Sequence, residues 1–141
     1  AIDLLDRKVW FAGAHNSLYR ITGEDTKVPE GLKVLESGNR KLVEYSANKQ
    51  PVGKYDHMEP FAATEILLEP GDCIYLFSDG FADQFGGEKG KKFKYKAFKD
   101  LLLETKNMEM ANSKQKIDTV FINWKGQLEQ IDDVCILGVK L

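Results

Sequence analysis

Two hydrophobic periods divide the chain. In the first half, apolar positions fall in short runs rich in β-branched and aromatic residues: 8–14 (KVWFAGA), 17–22 (SLYRIT), 41–45 (KLVEY), 61–68 (FAATEILL) and 72–77 (DCIYLF). Runs of this kind, punctuated by Gly, Pro, Asn and Asp, predict strands. The His15-Asn16 break predicts that the first two pair as an antiparallel hairpin. Glu69-Pro70-Gly71-Asp72 predicts a tight turn that joins the last two into a second hairpin. Residues 23–38 are polar and Gly- and Pro-punctuated, which predicts a loop with a short strand at 32–35, and the wider stretch 18–41 is a candidate substrate-facing flap.

Further on the period changes. Tyr95, Phe98, Leu101, Leu102 and Thr105 recur at helical spacing, with Lys94, Lys96, Lys99 and Asp100 on the opposite face. A second helix is predicted from a cap at Asn112 or Ser113, through the stripe Ile117, Val120, Phe121 and Trp124, to a stop at Lys125-Gly126. Both stripes read as core faces. Residues 134–141 (VCILGVKL) form an apolar run that predicts a central strand. Strands, then two helices, then a returning strand predict an α+β fold with helices segregated over an antiparallel sheet.

Composition narrows the field. A chain of 141 residues fits one domain. Its formal net charge of -2 disfavours nucleic acid and anionic membrane surfaces as partners. No apolar run approaches the roughly 20 residues that span a bilayer, and AIDLLDRKVW lacks the pattern of a signal peptide, so a cytoplasmic setting is expected. Cys73 and Cys135 lie inside apolar runs without metal-ligand spacing, which predicts two reduced core thiols. The opening residues read as strand, turn, strand with no cap before them, as in a chain cut from a larger domain.

The candidate chemistry lies where apolar runs meet carboxylates. The 72–77 run stops at Ser78-Asp79-Gly80, and Asp132-Asp133 stand before the last run. Asp-Gly after a strand is also an ordinary turn, and each aspartate can be a solvated turn residue. A buried unpaired carboxylate costs several kcal/mol, however, and adjacent aspartates repel each other. If 72–77 and 134–141 are antiparallel neighbours, Asp79 converges with Asp132 or Asp133. Hard oxygen donors without His or Cys favour Mg²⁺ or Mn²⁺.

AGAHNSLYRI, NKQPVG, GDCIYLFSDGFADQFGG with GKKF, and QIDDVCILGVK, in that order, resemble the C-terminal part of the SpoIIE-type serine/threonine phosphatases, the bacterial branch of the PP2C-like enzymes. The resemblance covers nearly all of residues 1–141. It implies part of an α-β-β-α sandwich, with antiparallel sheets face to face and helices outside. It also implies hydrolysis of phosphoserine or phosphothreonine by water activated at two Mn²⁺ or Mg²⁺ ions. The implied substrate is a phosphoprotein, such as an anti-anti-sigma-like regulator in bacterial signalling. Asp79 and Asp132 match metal-binding aspartates, Asp133 is a neighbour of the second, and Gly80 lets the backbone pass close to the metals. Asp83 has no assured counterpart.

One departure bears on activity. The family's metal-bridging aspartate-glycine motif, from the N-terminal half of the domain, has no counterpart here, because Asp3 and Asp6 lack the following glycine. The N-terminal part is therefore expected to lie outside this chain, which alone is expected to be inactive and to self-associate through exposed sheet surface. The rival expectation is a non-catalytic signalling or protein-interaction module on a degenerate phosphatase fold. His15 reads as a turn or core imidazole, with phosphate binding or proton transfer as the alternative, and His57 as a surface loop residue.

Overall fold

The structure, a computed structural model, describes residues 1–54 and 56–141. β1 (Ile2–Asp3), β2 (Lys8–Phe11) and β6 (Thr64–Leu67) make a three-stranded sheet in the order β1-β2-β6. β3 (Leu18–Gly23), β4 (Lys33–Ser37), β5 (Arg40–Tyr45), β7 (Cys73–Phe77) and β10 (Ile136–Lys140) make a five-stranded one in the order β10-β7-β3-β5-β4. All the strand pairs are antiparallel. Between β7 and β10 the chain forms the short helix α1 (Gly80–Asp83), a small hairpin of β8 (Phe85–Gly86) and β9 (Lys91–Lys92), and the helices α2 (Tyr95–Thr105) and α3 (Met110–Lys125).

Strand alternation sorts the core into two slabs. Tyr19, Ile21, Leu42, Cys73, Tyr75 and Phe77 project from one face of the large sheet onto Phe98, Leu101, Leu102, Ile117 and Phe121 of α2 and α3. Leu18, Val43, Tyr45 and Ile74 project from the other face onto Val9, Phe11, Ile66 and Leu68. The described residues thus stack as helices, large sheet and small sheet: three layers of an α-β-β-α arrangement, α+β and antiparallel as expected.

Both predicted hairpins are corrected. The turn at Glu69–Asp72 is real, with Asp72 N–H donating to Glu69 O (3.0 Å) and Gly71 at φ +84°. It does not join paired strands, however: β6 pairs with β2 and β7 with β3 and β10, so the turn carries the chain from one sheet to the other. A buried ion pair holds it there. Arg20 Nε, from β3, donates to Asp72 Oδ2 (2.7 Å), and the same oxygen accepts Glu69 N–H (2.9 Å). Likewise β2 and β3 lie in different sheets. The segment between them is stitched instead to the NKQ stretch, through His15 N–H to Asn48 O (2.9 Å) and Asn48 N–H to Gly13 O (2.9 Å).

Smaller differences follow the same logic. Of the residues expected as a flap, 18–23 are β3, buried inside the large sheet, and 33–37 are β4, while 24–32 lie outside the strands as a loop. The helix α3 starts two residues before the expected cap; Ser113 lies inside it and its hydroxyl donates to Glu109 O (3.2 Å). The last strand, β10, is an edge rather than a centre among the described residues.

Candidate metal centre

The strand β7 ends at Phe77, and β10 begins at Ile136 directly opposite it. Because the pair is antiparallel, the residues after one strand and before the other share one end of the sheet. Ser78 fastens them together. Its N–H donates to Cys135 O (3.0 Å), its hydroxyl donates to Asp133 O (2.7 Å), and the same hydroxyl oxygen accepts Cys135 N–H (2.9 Å). Gly80, the first residue of α1, lies so close that a Cβ there would stand 3.0 Å from Asp133 C, nearer still to its carbonyl oxygen, and 3.2 Å from Val134 Cγ2. The second loop is tied at two more points: Gln130 Nε2 donates to Asp132 O (2.8 Å), and the buried Gln84 donates from Nε2 to Glu129 O (2.9 Å).

Asp79, Asp132 and Asp133 are all exposed, and none forms an ion pair among the described residues. Asp132 Oδ1 accepts Asp133 N–H (2.7 Å), which shapes the loop and leaves Asp132 Oδ2 open. The field at this end of the sheet is negative. Burial first, and then the charges of Asp79 and Asp83, push the Tyr95 phenol above its ordinary pKa.

Open carboxylates on two stapled loops, with a glycine cradle that a Cβ would fill, fit a hard divalent cation by donor chemistry. They fit as part of a ligand set. Among the described residues, no three His, Cys, Asp or Glu side chains group closely enough to hold a metal ion.

The family model described as Stage II sporulation protein E (SpoIIE) matches residues 2–141. The chain belongs to the SpoIIE family. Among solved structures, the SiaA-PP2C domain of Pseudomonas aeruginosa matches this chain at a TM-score of 0.76 and 26% sequence identity. The match covers 99% of this chain and 49% of that one, so this chain spans about half the length of that structural relative. No curated protein sequence matches it.

The structure brings together the loops that carry the expected site residues, Asp79 and Gly80 on one and Asp132 and Asp133 on the other. Asp83 points its charge elsewhere, into an ion pair with Lys92 (3.1 Å). Cys73 is a core thiol as expected, but Cys135 is exposed, because it belongs to the stapled loop rather than to β10. His15 occupies a bend at φ +60° and is exposed, so it is no core imidazole, and His57 lies in an exposed segment. Ser78 and Gln84 escaped the sequence reading. The serine sits inside the SDG triplet, and its strand-end position beside a second acidic loop was the one available signal. No helix is long and apolar enough to cross a membrane, among the described residues.

Proposed function

We propose that this chain contributes two acidic loops to a metal-dependent serine/threonine phosphatase acting on a regulatory phosphoprotein of bacterial signalling. The observation that carries the reading is the Ser78 staple, which places the SDG loop against the DD loop at one sheet end. Asp79 and Asp132 hold the cation in this reading, with Asp133 beside them, and Gly80 keeps the two backbones in contact. When bound, two Mg²⁺ or Mn²⁺ ions supply water activation and a positive field for the phosphoryl oxygens. The rest of the ligand set lies outside this chain, which by itself is inactive.

Self-association of the isolated chain belongs to the same reading. Leu76 and Leu137 face each other across β7 and β10 and are 39% and 56% exposed, beside the open backbone edge of β10. An anti-anti-sigma-like substrate, supported by the family likeness, and a cytoplasmic setting, supported by the reduced-thiol reading of the sequence, belong to the same proposal. The second reading, a non-catalytic interaction module, is favoured by the lack of a three-carboxylate group among the described residues.

The test is Mn²⁺-dependent turnover of a phosphoserine peptide by the intact phosphatase and by its Asp79→Asn and Asp132→Asn variants. Both variants are expected to lose turnover while keeping their unfolding transitions. Hydrolysis at the wild-type rate in either one sinks the assignment.

A further inference from the structure

Residues 84–99 hold six lysines and a single acid, Glu88. They form the β8–β9 hairpin and the entry to α2, and their base is held rigidly against α1. Lys92 Nζ reaches Asp83 Oδ1 at 3.1 Å, Phe93 N–H donates to Gln84 O (3.0 Å), and Lys94 N–H donates to Ala82 O (2.7 Å). Gly87 N–H donates to Trp124 O (2.8 Å), and the Phe93 ring meets Trp124 edge-on at 5.3 Å. Lys94 is fixed at φ +75° and ψ +148°, a conformation ordinarily left to glycine, and such strain gathers at functional sites. On this rigid base Lys89, Lys91, Lys94 and Lys96 are exposed and make no ion pair among the described residues.

The position of this strip matters more than its charge. The helix α1, which starts next to Asp79 and ends at Asp83, is about 6 Å long. Lys92 and the Lys94 backbone lie directly on the far part of this helix, at Asp83 and Ala82, so a chain segment laid from the Asp79 loop along α1 meets the start of the lysine strip about one short helix away. Asp83 and Glu88 interrupt the strip, which suits separate acidic side chains rather than a continuous polyanion.

We propose that the lysine strip of the β8–β9 hairpin and the α2 entry is a docking surface for acidic side chains flanking the phosphorylated residue of a protein substrate. The substrate class rests on the phosphatase reading, while the preference for acidic segments can be read without any turnover.

The experiment measures binding of two fluorescent phosphoserine peptides, one flanked by Asp and Glu and one by Asn and Gln, to the intact phosphatase in EDTA. The variants are Lys89→Gln/Lys91→Gln/Lys96→Gln and the charge-keeping Lys89→Arg/Lys91→Arg/Lys96→Arg; Lys92 is left in its ion pair. The wild type is expected to prefer the acidic peptide about tenfold at low salt, with the preference shrinking as salt rises. The Gln triple loses that preference and the Arg triple keeps it. Equal binding of both peptides by the wild type, or an unchanged preference in the Gln triple, overturns the proposal. So does lysine-dependent binding of single-stranded DNA or phosphatidylserine vesicles that is tighter than binding of the acidic peptide. Lysine-dependent preference without Mn²⁺-dependent turnover supports the docking surface and removes the phosphatase reading; turnover without preference does the reverse.

Discussion

Replacing Gly80 by alanine adds one methyl group at the closest approach of the two acidic loops. Gly80 φ is not in the left-handed region, so alanine meets no backbone strain there. Within α1 it gains about 1 kcal/mol of helix propensity. Against this, the new Cβ stands 3.0 Å from Asp133 C, about 0.5 Å short of ordinary carbon–carbon contact, and closer to the carbonyl oxygen. The neighbour is backbone and cannot swing aside as a flexible side chain would. Overpacking of this kind costs about 1–3 kcal/mol, so the net loss of stability lies between about zero and 2 kcal/mol. The loops move apart by at least about 0.5 Å, and misplacement approaching 1 Å costs up to about 10²-fold in rate. The expected result is a urea midpoint near that of the wild type, with phosphopeptide turnover by the intact phosphatase reduced about 10- to 100-fold and half-maximal Mn²⁺ raised. A folded Gly80→Ala protein with wild-type turnover and Mn²⁺ dependence would refute the claim that this contact sets the site.

Three further outcomes are expected. Asp72→Ala strands the 4%-exposed Arg20 without its partner and should lower the unfolding free energy by about 3–5 kcal/mol in urea titrations, whereas Arg20→Met/Asp72→Leu should recover most of it. A double variant as unstable as the single one contradicts this. Lys94→Gly relieves a glycine-type backbone at the cost of chain entropy and should raise stability by about 1 kcal/mol, while Lys94→Ala should not; equal midpoints for the two remove the strain argument. Burial alone would raise the pKa of Glu44, but the Lys99 hydrogen bond and charge, Lys33 and Ser17 outweigh it and hold the carboxyl below its usual range. A depressed folded pKa gives stability that is present above the unfolded value near pH 4.5 and is lost as pH falls through the folded one. Urea midpoints of wild type and Glu44→Gln should therefore differ at pH 7 and converge as the pH falls from 4.5 through the lowered folded pKa; a constant gap excludes the ion pair as its source.

The helices and the meeting of the two acidic loops were legible because their signals are local or lie at the ends of strong apolar runs. Tyr95–Thr105 matches its predicted stripe, Gly126 closes α3 at φ +54°, and the β7–β10 pairing that brings the loop of Asp79 to the loop of Asp132 and Asp133 follows from two apolar runs bounded by carboxylates. Sheet membership was the harder inference. Glu69–Asp72 is turn chemistry in either role, and what decides is the buried Arg20–Asp72 pair, a contact across 52 residues. One signal was present: TEIL in β6 buries only Ile66, whereas CIYLF in β7 buries all but Leu76, so one strand is covered on a single face and the other on two. The lysines fall partly in a stretch for which the sequence predicts no element and partly on the outer face of a predicted helix, so their association emerges only from the folding of the hairpin against α1.

The Ser78 staple also has a bearing on how the protein comes to be made. Its two sides are 57 residues apart in the chain. Closing a loop of that length costs roughly 3–4 kcal/mol of entropy, repaid only when β10 zips onto β7. On a ribosome that releases the amino-terminal side first, the SDG loop emerges well before its partner, while α2 and α3 can form from neighbouring residues in microseconds. The two acidic loops therefore meet only after the 57 residues between the staple's two sides have emerged, and a chain still lacking β10 has no assembled pair of loops.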